Sequence, residues 1–155
     1  TAAGPKMLEY NVRFGDPECQ VLVPRLSSSL TDLLSQAAAG RIESTPTFSD
    51  DALVTVVCAA QGYPVAPRVG DRIVGLDAAR AEPGVTVMCA AGGSDRDGAL
   101  VTAGGRVLSV TGRGPTLADA REAAFRGVGC LSFPGMVVRP DIAEAAATTT
   151  SKEPA

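Results

Sequence analysis

Leu8-Glu9-Tyr10-Asn11-Val12-Arg13-Phe14-Gly15-Asp16-Pro17-Glu18 is the stretch on which the reading of this chain turns. Within residues 6–14, Leu8, Tyr10, Val12 and Phe14 alternate with Glu9, Asn11 and Arg13. A period of two predicts a strand that sends the two sets to opposite faces. Gly15-Asp16-Pro17 has the residue types of a turn that ends it. On the polar face, alternate positions would stand roughly 6–7 Å apart. The carboxylate of Glu9 and the amide oxygen of Asn11 are hard ligands suited to Mg²⁺, which keeps waters and shares phosphate oxygens. Arg13 beside them suits bidentate pairing with phosphate or carboxylate oxygens. One face thus offers a cation site next to an anion clamp, as nucleotide phosphates require. The same alternation also describes a sheet with a solvated polar face, and Glu-x-Asn-x-Arg alone does not separate the two readings.

Beyond the turn, a helical pattern is interrupted at Pro24 and resumes from Ser29. There Leu30, Leu33, Leu34, Ala37 and Ala38 recur at three and four spacing, and Gly40 supplies a stop. Residues 42–51 are polar and turn-rich around Pro46 and read as a boundary. Short apolar runs bounded by glycine follow, giving candidate strands at 53–59, 72–74, 85–90, 99–102 and 107–112. Between the last two, Ala103-Gly104-Gly105-Arg106 reads as a hairpin turn. Gly104 and Gly105 also invite a phosphate-cradle reading, but a turn needing positive φ explains them more simply. Residues 116–128 form the clear helix of this half, capped by Thr116 and striped with Ala120, Ala123, Ala124 and Val128.

Composition narrows the chemistry. The 155 residues are 45% apolar, enough for a packed core, and contain no His, so imidazole cannot serve as base or metal ligand. A net charge of −3 without basic runs argues against nucleic-acid and membrane-surface partners. Cys19, Cys58, Cys89 and Cys130 are widely spread and each sits in an apolar run, which predicts four buried free thiols rather than a zinc site. A reducing cytoplasm fits them.

The long form of the opening stretch closely resembles the signature of the glycinamide ribonucleotide synthetases. Glu-x-Asn-x-Arg is shared by many ATP-grasp enzymes, whereas its continuation into Phe14-Gly15-Asp16-Pro17-Glu18 is far more restrictive. Gln20, Leu22 and Pro24-Arg25-Leu26 continue the match. So do Val54-Thr55-Val56-Val57, Gly62-Tyr63-Pro64, Gly75-Leu76-Asp77, Leu100-Val101-Thr102 and Gly104-Gly105-Arg106-Val107-Leu108. Thr116-Leu117, Ala120-Arg121, Arg139 and Asp141-Ile142 complete the ordered series, which covers about residues 4–143.

The resemblance implies an α+β chain. Residues 1–43 would be the C-terminal edge of an ATP-grasp domain, a strand plus helices, and 44–51 a linker. Residues 52–143 would be a small β-rich domain like the hybrid motif of other ATP-grasp enzymes, with one main helix, and 144–155 a disordered tail. It implies ligation of 5-phosphoribosylamine to glycine with ATP as co-substrate, through a glycyl phosphate. Glu9 and Asn11 would hold Mg²⁺ or Mn²⁺, and Arg13, as the catalytic side chain, would pair with phosphate or with the glycine carboxylate. Asp16 and Glu18 would orient the substrate amine, or equally cap the following helix.

Several positions depart from the family pattern. Cys89-Ala90-Ala91-Gly92-Gly93 stands where a His-Ala-Gly-Thr type segment is common, and Ala103 where Asn is usual. The substrate-binding domain and most of the ATP-grasp fold would precede the opening strand, and their missing part would be this chain's chief partner. Residues 1–40 are therefore expected to expose a strand edge and a core face, and the chain alone to be inactive. Two rivals stay open: another ATP-grasp carboxylase or ligase, and a binding or assembly module that keeps the fold without turnover.

Overall fold

The computed structural model of the chain describes residues 4–7, 10 and 12–150. Two helices, α1 (Cys19–Arg25) and α2 (Leu30–Ala38), come first, followed by strand β1 (Ala52–Ala59) and helix α3 (Leu76–Ala81). Strands β2 (Val85–Cys89), β3 (Gly92–Ser94), β4 (Leu100–Thr102) and β5 (Arg106–Gly114) follow, then helices α4 (Leu117–Cys130) and α5 (Glu144–Thr150). The expected α+β class is the class observed. Strand β5 lies between β1 and β2 in an antiparallel sheet, while β3 and β4 pair antiparallel in a second, two-stranded sheet.

The core forms where α4 crosses the three-stranded sheet. Val54, Val56 and Cys58 of β1, Val87 of β2, and Leu108 and Val110 of β5 are buried with Ala120, Ala124 and Val128 of α4. Small residues let the helix approach closely. The place a Cβ at Gly112 would take lies 2.9 Å from the Cα of Ala124. Thr116 starts α4 with a full capping box: its Oγ1 accepts from the Asp119 backbone N–H at 3.2 Å, and its own N–H donates to Asp119 Oδ2 at 3.1 Å.

The N-terminal segment is fastened to β5. The Thr111 hydroxyl donates to the Gln20 carbonyl at 3.3 Å, and Arg113 Nη2 donates to the Pro24 carbonyl at 2.5 Å. Arg113 Nη1 also pairs with Asp51 Oδ2 at 2.8 Å. Within the segment, Leu26 bridges Phe48, and Arg25 donates from Nε and Nη2 to the Ser49 carbonyl at 3.1 and 2.9 Å. Two residues of the 44–51 segment, Phe48 and Ser49, thus contact the C-terminal end of α1.

Several sequence expectations need correction. None of the described residues within 6–14 is in a strand, and Tyr10, Val12, Arg13 and Phe14 are all exposed. Alternation makes a strand only where a neighbour completes the ladder, and no described strand pairs with these residues. Ala103-Gly104-Gly105-Arg106 is not a hairpin, because β4 pairs with β3 while β5 pairs with β1 and β2. Nor are Gly104 and Gly105 among the positive-φ glycines. Residues 72–74 form two separate bridges, Arg72 to Val101 and Val74 to Ser132, instead of a strand. Residues 144–150, expected to be disordered, are helical in α5, and 151–155 lie outside the described residues. Of the four free cysteines only Cys58 is buried; Cys89, at the end of the edge strand β2, is exposed.

Candidate functional site

An open cleft of about 1120 Å³ lies between the N-terminal segment and the adjoining ends of β2 and β5. Arg13, Asp16 and Glu18 line it from one side, and Met88, Cys89 and Arg106 from the other. Glu9 and Asn11, the expected metal ligands, lie outside the described residues. Among the described residues, no group of three or more His, Cys, Asp or Glu side chains could hold a metal ion.

Asp16 is the node of the cleft. Its Oδ1 accepts from Gln20 Nε2 at 2.8 Å, one helical turn on. Its carbonyl accepts from Arg106 Nη1, and its Oδ2 stands 3.6 Å from Arg106 Nη2. Glu18 occupies the N-cap position of α1 without a side-chain capping bond. Its carboxyl group lies against Gly15, where a Cβ would come 2.7 Å from Cδ. Gly15 therefore lets the chain fold the Glu18 side chain over the turn. Arg13 donates from Nη1 to the Phe14 carbonyl at 3.3 Å, and no carboxylate of a described residue lies within 4.0 Å of it. The structure thus brings Arg13, Asp16 and Glu18 to one cleft.

Arg106, which as a hairpin arginine could reach a phosphate but would ordinarily do nothing specific, lines the cleft instead of a hairpin. Thr111 and Arg113 face the N-terminal segment, and Arg106 stands at odd spacing from both. Regular alternation would send it to the α4 face. A register shift opposite Cys58 and Ala59 intervenes, pairing Cys58 with Leu108 and Ala59 with Arg106. This irregularity turns Arg106 back to the cleft side, a common use of a bulge at a sheet rim. No local pattern in the sequence marks it.

Residues 53–145 match the family model described as phosphoribosylglycinamide synthetase, C domain. The chain is 45% identical over 144 residues to a phosphoribosylamine–glycine ligase of Caulobacter vibrioides, covering 92% of this chain and 34% of the relative. It is 46% identical over 146 residues to one of Leifsonia xyli, covering 92% and 35%. The chloroplastic ligase of Arabidopsis thaliana is 45% identical over 140 residues, covering 89% and 26%. The crystal structure of phosphoribosylamine–glycine ligase from Thermotoga maritima superposes with a TM-score of 0.76 at 36% identity, covering 89% of this chain and 33% of that one. The chain spans about a third of the length of the first of these relatives.

Proposed function

The chain belongs to the phosphoribosylglycinamide synthetase C-domain family, and from that premise we propose that it is the C-terminal part of an ATP-dependent ligase joining 5-phosphoribosylamine to glycine in purine biosynthesis. The cleft that gathers Arg13, Asp16 and Glu18 against Arg106 carries this reading, because it sets guanidinium groups and carboxylates around one open space. In the proposed reaction a glycine carboxylate oxygen attacks the γ-phosphorus of ATP and ADP leaves. The amine nitrogen of phosphoribosylamine then attacks the acyl carbon, inorganic phosphate leaves, and the nitrogen loses a proton. Positioning and charge neutralisation supply most of the rate in such transfers. Arg13 would hold the glycine carboxylate or the transferring phosphoryl oxygens. Asp16 and Glu18 would orient the incoming amine.

Glu9 and Asn11 would hold a Mg²⁺ or Mn²⁺ ion, for which a carboxylate and an amide oxygen are suitable donors. Such an ion, when bound, neutralises charge on the ATP phosphates. In this reading the ATP-grasp residues that cover the adenine and the triphosphate belong to a preceding segment, so the chain alone does not turn over. The cytoplasm is the proposed location, where the four thiols stay reduced. Among the described residues, no helix is long and apolar enough to cross a membrane.

The test pairs this chain with the N-terminal two thirds of a relative and measures ADP release. Release should require both glycine and phosphoribosylamine, and Glu9→Ala and Arg13→Ala should each lower kcat by roughly a hundredfold or more. ADP release without dependence on glycine would favour another ATP-grasp reaction. Folded, associated protein without any turnover would favour an assembly module.

A further inference from the structure

Several arginines of this chain spend their N–H donors on holding the fold. Arg68 forks onto Asp71 at 2.6 and 2.7 Å and also reaches Gln61. Arg113 engages Asp51 and the Pro24 carbonyl, and Arg121 the Ile142 and Pro140 carbonyls at 2.9 and 2.6 Å. These guanidinium groups hold the fold. Arg13 and Arg106 differ. Among the described residues each makes one hydrogen bond, from Nη1 to a backbone carbonyl, and these are the two arginines that line the cleft. The Nε and Nη2 groups of Arg106 make no hydrogen bond to a described residue; Nη2 forms a half-exposed ion pair with Asp16 Oδ2 at 3.6 Å, longer than a hydrogen bond and open to exchange for a ligand oxyanion.

The backbone around Arg106 is also fixed. The Ala91 N–H donates to its carbonyl at 3.1 Å, the Ala60 N–H to that of Gly105 at 2.8 Å, and the bulge aims its side chain at the cleft. A guanidinium on a rigid strand end, with planar donors open to exchange, is preorganised for an oxyanion.

We infer that Arg106 is the second guanidinium of an oxyanion subsite in this cleft, facing Arg13, and that the subsite takes the phosphate monoester or the carboxylate of a small substrate. This deepens the ligase reading, on which it rests, by assigning a substrate contact to the β-rich part of the chain. The contact to the Asp16 carbonyl keeps the guanidinium plane in place while its Nε and Nη2 edge meets the ligand.

The experiment titrates the 155-residue chain with inorganic phosphate, ribose 5-phosphate and glycine, with ribose as control, following backbone amide resonances and the arginine Nε–H signals. Saturable shifts at Gly15, Cys19 and Arg106 are expected with the anionic probes and not with ribose. The stronger arm tells phosphate monoester from carboxylate. Arg106→Gln should weaken binding about tenfold, the loss of one charge-assisted fork. Arg106→Lys should retain part of it, and Arg139→Gln, outside the cleft, should change nothing. Absent or non-saturable shifts, or unchanged affinity in Arg106→Gln, would overturn the inference. So would equal losses in the Gln and Lys variants accompanied by displaced signals over 14–24, which would make Arg106 only a brace for the Asp16 turn. Anion binding that persists while the complete ligase shows no glycine-dependent turnover would sink the ligase reading and leave the subsite standing.

Discussion

The ring of Tyr63 occupies the space that a side chain at Gly105 would need: a Cβ built there would lie 2.8 Å from Cε2 and 3.3 Å from Cγ. Gly105 is therefore required by close approach rather than by a left-handed backbone. Gly105→Ala should displace the ring and cost about 1–3 kcal/mol, the usual penalty of overpacking. Adding Tyr63→Ala should recover most of the loss. Denaturant unfolding of the two single variants and the double variant measures the coupling; strict additivity would refute the contact.

A second close approach joins α4 to β5. Gly112→Ala would drive a methyl group against the backbone of Ala120 and Ala124. We expect a loss of about 3 kcal/mol or more, since backbone cannot rotate aside as a side chain can. Gly129, also in α4, has open space around it, and Gly129→Ala should leave stability equal or raise it by up to about 1 kcal/mol. Thermal melts of the two variants should move in these different ways.

Burial pushes the Cys58 thiol up from 9.0 to about 11. Between those values the unfolded chain releases the thiol proton while the folded chain keeps it, so stability falls as pH rises through that window and is unaffected by this group below it. The rise corresponds to about 3 kcal/mol. The stability advantage of the native chain over Cys58→Ala should shrink by about 2 kcal/mol between pH 8 and pH 11, where the folded thiol is half ionised. In the native chain a thiol reagent should label exposed Cys89 quickly and Cys58 only on unfolding.

Thr116→Ala removes the acceptor for the Asp119 N–H and half of the capping box. The expected cost is about 1 kcal/mol. Thr116→Ser should retain nearly all of the stability in the same chemical melts.

Legibility followed the source of each element's stability. Helix α4 was readable because its cap and its alanine stripe are local. Helix α2 was readable because Ser29 accepts from the Asp32 N–H at 3.2 Å, a cap visible as a residue type before an apolar period. The apolar runs of β1, β2, β4 and β5 were found, but their partners were not, since pairing across sheets leaves no mark in a single run. Helix α3 escaped notice because it is six residues long and buries only Ala79. Strand β3 is Gly-Gly-Ser and offers no side-chain pattern at all. In the cleft, Asp16 and Glu18 were found through the opening motif. Arg106, ninety residues away from Asp16, depends on a bulge that only the register reveals.

The attachment of α1 along β5 has a mechanical consequence. Arg106 and Arg113 grip the Asp16 turn and Pro24 from positions seven residues apart, roughly 23 Å along an extended chain, with Thr111 between them. Two pieces stitched at several points along one rail cannot swing about a hinge between them.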